Sequence, residues 1–372
     1  MLITIIAVIG LFALLVLAHE WGHYIAARRL GVKVTEFGFG FPPRLWAYRD
    51  KARQMDWSIN LLPLGGFVRI KGEGGDFREE VDSFSNQPAW RRIIILVAGV
   101  AMNIILAYGL LTAGLMIGLP TALEQTDLTS ARDIKVQIVS VEPNSAAAQA
   151  GLRPGDAILR VGDTLVTQTA QVTDYVASHS NSSFEIFYQR GDQEKLVSIQ
   201  PQVLDQAVGR PVLGVSLLTT GTVAYPWYQA LWRGGQATYY LTREIVFGFG
   251  RLLHDLFLGG RVPADIAGPV GIAVLTGQVV DLGWIYLLQF AALLSINLAI
   301  INIFPFPALD GGRLLFVLIE KIRRKANDQK IEMIVHNLGF MLLMLLVIVI
   351  TYRDVMKFGG GILKSLGSFW GA

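Results

Sequence analysis

MLITIIAVIGLFALLVLA, Met1–Ala18, contains no Asp, Glu, Lys, Arg or His and runs straight into His19-Glu20-Trp21-Gly22-His23. About 20 apolar residues cross a bilayer as one helix, so this stretch reads as a membrane span whose last turns carry two imidazoles and a carboxylate. Two more stretches of spanning length are free of ionisable residues, Ile93–Leu123 and Leu282–Leu309, and another, from about Met333 to Tyr352, is interrupted only by His336. The chain of 372 residues is 52% hydrophobic and only 16% charged, which does not suit a water-soluble globule. The fold class that follows is a polytopic α-helical membrane protein with about four transmembrane helices, at about 1–27, 93–119, 282–304 and 333–352. A fifth apolar run, 266–280, is short for a span and reads as re-entrant or interfacial. The first run lacks the basic n-region and small-residue cleavage site of a signal peptide.

Basic residues cluster beside the spans. One group lies between the first and second, from Arg28 and Arg29 to Arg91 and Arg92; the other follows the third, with Arg313, Lys321, Arg323, Arg324, Lys325 and Lys330. Both fall on one side of a four-span topology, and the positive-inside rule makes that side cytoplasmic. The N-terminus, the long middle segment and the C-terminus then face outward. A net charge of +3 gives no reason to expect a nucleic-acid partner. Cysteine is absent, which excludes disulfides, thiolate ligands and thiol nucleophiles. A metal site in this chain must be built from His and carboxylates.

Within an N-terminal membrane part, 1–123, the segment 54–70 reads QMDWSINLLPLGGFVRI, a β-type run broken by Pro63 and Gly65-Gly66. It is expected to form a membrane-associated β-hairpin or small sheet. The preceding Phe37, Phe39, Phe41, Leu45 and Trp46 suggest that this loop dips into the membrane face. From 127 to 218 polar residues return, and short strands at Val136–Val141, Ile158–Val161 and Phe184–Tyr188 alternate with Gly and Pro turns, marking a soluble domain. The segment 225–260 mixes Trp, Tyr and Phe with Arg233, Arg243, Glu244 and Arg251, as an amphipathic interfacial helix does. A C-terminal membrane part, 261–372, completes the chain.

His19 and His23 are four residues apart on a helix and share a face, so both imidazoles can reach one Zn²⁺ with Glu20 beside the vacant position. Ionisable groups at membrane depth cost about 2.5–3.5 kcal/mol for a central carboxylate and usually mark function. Catalytic zinc takes a third protein ligand. Asp310 is the outstanding candidate, because it ends a charge-free segment in which Pro305 and Pro307 break the helix and Gly311-Gly312 lets backbone come close. The alternative for Asp310 is a helix N-cap at the bilayer surface. His179, His254 and His336 read as surface or capping residues, and Asn297 and Asn337 as groups that hydrogen-bond between helices.

The two motifs together, H-E-x-x-H at the first span and Asn302-Ile-Phe-Pro-Phe-Pro-Ala-Leu-Asp-Gly at the third, resemble the site-2 protease family, in particular bacterial intramembrane proteases of the regulator-of-sigma-E type. Gly38-Phe-Gly-Phe-Pro, Leu62-Pro-Leu-Gly-Gly-Phe-Val-Arg and Ala267-Gly-Pro-Val-Gly-Ile also have counterparts there. The resemblance implies one zinc ion held by His19, His23 and Asp310, with Glu20 as catalytic base. It implies that Asn302 holds the substrate backbone near the metal and that the loop Leu61, Leu62, Pro63, Leu64, Gly65, Gly66, Phe67, Val68 pairs with substrate as an added strand. The phrase from Val141 to Gly162 resembles a PDZ domain, an α+β, barrel-like module. Its peptide-accepting strand, Val212, Leu213, Gly214 and Val215, lies at the C-terminal end, which implies the circularly permuted form.

Implied partners are single-span membrane proteins already cut outside the membrane, such as anti-sigma factors or signal-peptide remnants, together with peptide C-termini at the PDZ domain and the lipid bilayer. The implied location is the bacterial cytoplasmic membrane, with the active site toward the cytoplasm and the PDZ domain outside. The better-known relatives carry two PDZ modules in tandem, whereas this chain has room for one. Two other readings compete: a transporter with polar groups along an ion path, for which inverted repeats are missing, and an idle PDZ scaffold, for which a broken metal motif would be expected.

Overall fold

In lipid an apolar segment satisfies its backbone by forming a helix, and the long apolar runs do so in the computed structural model, which describes residues 2–122, 131–191, 193–202, 211–259 and 267–370. In chain order the elements are α1 (Leu2–Arg29), β1 (Val34–Asp50), β2 (Met55–Ile70), α2 (Ala89–Ile117), β3 (Leu119–Ala122), β4 (Arg132–Val141), α3 (Ala146–Gln149), β5 (Ala157–Val161), β6 (Thr164–Leu165), α4 (Thr169–Ser178), β7 (Phe184–Arg190), β8 (Gln193–Ile199), β9 (Val215–Val223), α5 (Trp227–Phe257), α6 (Pro269–Leu282), α7 (Trp284–Ile303), α8 (Asp310–Arg323) and α9 (Gln329–Trp370). Among the described residues four helical stretches are long and apolar enough to cross a membrane: Ile3–Arg29, Ala89–Ile117, Trp284–Ile303 and Gln329–Lys357. Along the last of these, Phe340, Met341 and Leu345 are more than half exposed, a surface suited to lipid and unsuited to water. The chain divides into two compact units, Met1–Thr112 with Leu231–Ala372, and Ala113–Ala230.

In the first unit α1 and α2 meet backbone to backbone. A Cβ on Gly22 would run into the Ala98 carbonyl of α2, so the crossing depends on the missing side chain, as is common where helices pack in membranes. Small residues on α7, Ala291, Ala292, Ser295 and Ala299, are buried, and the Ser295 hydroxyl donates to the Asn103 carbonyl of α2 at 2.8 Å. Where α1 ends and α2 begins, Tyr24, Ala27, Ile95 and Leu96 close a core with Val34, Phe37, Met55 and Ile70 of the sheet and Val317 of α8.

The sheet contains more strand than the sequence suggested. Residues 37–46, expected as apolar loop, belong to β1, whose Phe37 pairs with Val68 on one side and Trp57 on the other. The long strands thus fold into four segments, side by side in the order 66–70, 34–39, 56–60, 44–50. Glu36, 3% exposed, ties three of them to its own: it accepts from Ser58 Oγ at 2.7 Å and pairs with Arg69 Nη1 at 2.9 Å and with Arg44. A buried carboxylate is tolerable only when satisfied this fully. The outer hairpin leaves Leu45, Trp46, Tyr48 and Ile59 exposed.

After α7 the prolines do break the helix. The chain turns through 304–309 and restarts as α8, a helix beyond the four expected spans. Gly311 and Gly312 are buried against the carbonyls of Ile303, Phe304 and Phe306, where any Cβ would collide. The short apolar run near 266–280 forms α6, with Ile266 outside the described residues. Asn297 donates to the Leu293 carbonyl of its own helix at 2.9 Å, so the interhelical bond expected of it is replaced by one within α7.

The second unit is built on a sheet of order β3-β9-β4-β5-β7-β8, with β6 paired to β5. It extends beyond 127–218, from Leu119 to Val223. Its core includes Val136, Ile138, Ile158, Val161, Val172 and Ile186, all at most 1% exposed; each such side chain is worth about 1.5–3 kcal/mol on burial. Asp156 is buried under a two-pronged pair from Arg190, at 2.7 Å to each carboxylate oxygen.

Candidate metal centre

His19 and His23 sit on the inner face of α1 and are both buried. Asp310, the first residue of α8, is brought to them across the proline-broken turn. His19 Nε2 lies 3.0 Å and His23 Nε2 3.2 Å from Asp310 Oδ2, and the two Nε2 atoms are 3.2 Å apart. The helix cap is Leu309, with no side-chain cap bond, so the N-cap role considered for Asp310 falls to its neighbour.

The protonation pattern decides what this cluster is for. His23 Nδ1 is 2.8 Å from the Ile95 carbonyl, which can only accept, so Nδ1 carries a proton and in the neutral ring the Nε2 lone pair faces the cluster. Two imidazole nitrogens and a carboxylate oxygen converge within 4.8 Å, close enough that a proton or a metal ion must lie among them. Donors bound tetrahedrally to zinc at 2.0–2.1 Å are about 3.3 Å from one another, close to the separations found. Two imidazoles and one carboxylate are a donor set that fits catalytic zinc, which takes three protein ligands.

Glu20 lies on the same turn of α1, between the two histidines in sequence. Its Oε2 accepts from the Val68 N–H at 2.8 Å, so the edge segment 66–70 of the sheet lies directly against the H-E-x-x-H helix. Gly66 packs beside Val16 and Leu17 of α1. Of the loop expected to pair with substrate, the structure brings Gly66 and Val68 to the site, whereas Leu61 and Leu62 are exposed on the far part of β2. The side chains of Pro63 and Leu64 lie outside the described residues. Asn302 Nδ2 is 3.3 Å from His19 Nε2, at the mouth of the cluster.

Ionic ties hold the turn into α8. Arg313 pairs with Glu73 in the loop after β2, and Arg92 of α2 pairs with Glu320 at 3.0 Å. In the same loop the hydrogen bond from Lys71, at 2.7 Å, holds the Asp82 carboxyl below the usual carboxylate range.

Several contributors escaped the sequence reading. The Ile95 carbonyl and Asn103 on α2 each meet one imidazole. His336, read as a surface or capping residue, accepts the Ala308 N–H at 3.0 Å and so braces the turn that carries Asp310. His179 is the C-cap of α4, stacked on Tyr175, and His254 is exposed beside Asp255. Neither belongs to the donor cluster. In the second unit Leu213, Gly214 and Val215 line a groove of about 650 Å³ with Val172 and Val176 of α4.

The model of peptidase family M50 matches residues 7–346. The chain is 30% identical to the zinc metalloprotease RasP of Geobacillus kaustophilus, over 95% of this chain and 98% of that one. It is 28% identical to the regulator of sigma-W protease RasP of Bacillus subtilis, again over 95% and 98%. A solved PDZ domain of an SdrC-like protein from Listeria monocytogenes is similar over 22% of this chain and 85% of that one, at 26% identity and a TM-score of 0.21.

Proposed function

The chain belongs to peptidase family M50 and is a multi-pass zinc metalloprotease of intramembrane proteolysis; from that premise we propose that His19, His23 and Asp310 hold the zinc and that Glu20 is the catalytic base. The observation that carries the assignment is the convergence of three donor atoms with the His23 tautomer pinned by the Ile95 carbonyl. Bound there, zinc supplies Lewis acidity, polarising a carbonyl and making water a better acid. The rest is done by the chain. Glu20 takes the proton of the attacking water; as the water oxygen bonds to the scissile carbonyl carbon and the C–N bond breaks, Glu20 passes that proton to the departing amine. The Val68 N–H holds the carboxylate in place for both transfers. His19 and His23 keep lone pairs on the cluster side, and Asn302 stands where a substrate carbonyl near His19 could take its amide N–H.

A peptide bond inside a transmembrane helix is shielded by its own hydrogen bonds and must be unwound before water can attack. The edge 66–70 offers replacement partners by strand addition beside Glu20. The substrates proposed are single-span segments of proteins already cut outside the membrane, anti-sigma factors or signal-peptide remnants. The soluble domain, with its permuted PDZ order, takes peptide C-termini along Val212, Leu213, Gly214 and Val215. Strand β3 pairs with Thr220–Val223 of β9, and among the described residues the stretch from Val215 to Thr219 has no strand on that side, an edge for such a peptide. The site opens toward the cytoplasm of a bacterial cell, and the PDZ domain lies outside.

The test uses detergent-purified full chain, elemental zinc analysis and a model single-span substrate. Glu20→Gln is expected to keep its zinc and lose cleavage by about 10²–10⁴-fold, the usual contribution of a general base; full cleavage by this variant overturns the role. Asp310→Asn is expected to lose zinc, and wild-type zinc content in it removes Asp310 from the ligand set.

A further inference from the structure

One stripe of α2 backs both imidazoles. Ile95, Gly99 and Asn103 recur every four residues and therefore share a helix face. The Ile95 carbonyl meets His23 Nδ1, a Cβ on Gly99 would collide with both rings, and the Asn103 side-chain amide meets His19 Nδ1 at 3.4 Å. Asn103 is fully buried. Its Nδ2 faces the ring nitrogen, while its Oδ1 has no hydrogen-bond partner among the described residues. An amide's oxygen and nitrogen exchange places by half a turn about the last side-chain bond, and the surroundings decide which orientation holds.

The surroundings here favour the turned amide. If Nδ2 donates to His19 Nδ1, the ring proton must sit on Nε2, the atom 3.0 Å from Asp310 and 3.2 Å from His23; His19 could then offer no lone pair to a metal. With Oδ1 turned toward the ring, Nδ1 carries the proton and donates it, the orphaned oxygen gains its partner, and Nε2 faces the cluster as a lone pair, matching His23. Metal-binding imidazoles generally donate their second N–H to an oxygen that fixes tautomer and orientation. The backbone of Asn103 is held independently, since its carbonyl accepts from Ser295 of α7.

We infer that Asn103 is a positioning residue of the metal centre: its Oδ1 accepts the His19 Nδ1 proton and so holds His19 Nε2 ready to bind zinc, as the Ile95 carbonyl does for His23. The inference rests on His19 being a ligand, and the experiment separates the two statements. Full chain purified in detergent and loaded with zinc is titrated with a chelator of known affinity, giving a zinc dissociation constant for wild type, Asn103→Leu, Asn103→Asp and His19→Ala, with a far-UV spectrum of each to verify the helices. Asn103→Leu, close in volume but without an acceptor, is expected to weaken zinc binding by about 10–100-fold. Asn103→Asp, which can accept but as a carboxylate cannot donate, is expected to hold the wild-type constant or tighten it. Wild-type affinity in Asn103→Leu overturns the inference, as does an Asn103→Asp variant that binds zinc as poorly as Asn103→Leu. Should Asn103→Leu fail to fold, the Asn103→Asp constant decides alone. Undiminished affinity in His19→Ala sinks the ligand assignment itself, whatever Asn103 does.

Discussion

Gly99 shapes the site by having no side chain: the two imidazoles lie where its Cβ would be. On propensity alone Gly99→Ala should strengthen α2, since alanine is favoured over glycine by about 1 kcal/mol in a helix interior. The contact opposes that gain, because the added methyl would press on His23 Nε2 and His19 Cε1, at the apex of the donor cluster. Gly99→Ala is therefore expected to keep a helical far-UV spectrum while losing zinc in elemental analysis, and an unchanged zinc content would show that the rings have room to give. The residue scale also shows which part of the site could be read from sequence. His19, Glu20 and His23 are legible because their geometry is set by one helix turn, and Asp310 because two prolines and two glycines announce an abrupt change of backbone. Gly99, Asn103 and the Ile95 carbonyl carry no such local mark. Their roles arise only when α1 and α2 cross at Gly22, a contact between residues more than 70 positions apart.

Elements enter where a residue cannot hold itself. Asp310 opens α8 at the end of a turn whose Ala308 has φ of +81°, a backbone region costly for any residue with a side chain. Helix α9 holds that turn from the side: His336 Nδ1 accepts the Ala308 N–H, and three residues on, Gly339 lets Pro307 pack against the helix backbone. Loss of one hydrogen bond of this kind costs about 0.5–1.5 kcal/mol, a factor of roughly two to ten in an equilibrium. His336→Ala is thus expected to weaken zinc binding by about that factor, read by the same chelator titration, and His336→Asn, whose Oδ1 can replace Nδ1 as acceptor, to recover part of it. Equal constants for wild type and His336→Ala would reduce α9 to a lipid-facing span. The sequence reading missed this brace because a lone histidine near a span entrance has no periodic signature. It missed β1 for a different reason: Gly38, Gly40, Pro42 and Pro43 look like loop punctuation, while the pairings that make residues 34–50 a strand come from two separate parts of β2.

At the scale of the whole molecule, hydropathy made the four spans legible to within a few residues, because the bilayer imposes their length. The direction of insertion follows from a different kind of evidence, the Lys and Arg flanking the spans. If the loops after α1 and α7 are cytoplasmic, an odd number of crossings separates the β1–β2 sheet from the domain between β3 and β9, and the two must be reached from opposite sides of the membrane. The absence of cysteine makes this testable without background. Lys51→Cys lies in the exposed tip between β1 and β2, and Asp163→Cys in the exposed turn between β5 and β6. In right-side-out vesicles a membrane-impermeant maleimide is expected to label Asp163→Cys at once and Lys51→Cys only after detergent is added, with the order reversed in inside-out vesicles. Immediate labelling of both in one preparation would contradict the four-span count, and the reverse order would place the metal centre toward the outer face. If the site faces the cytoplasm, it also sets a requirement on any substrate: the peptide bond presented to Glu20 must be the one near the cytoplasmic end of the substrate's span. A single-span substrate carrying its only cleavable, helix-breaking residues near the outer end should then resist cleavage, while the same residues moved to the inner end should restore it, with product length read by mass spectrometry.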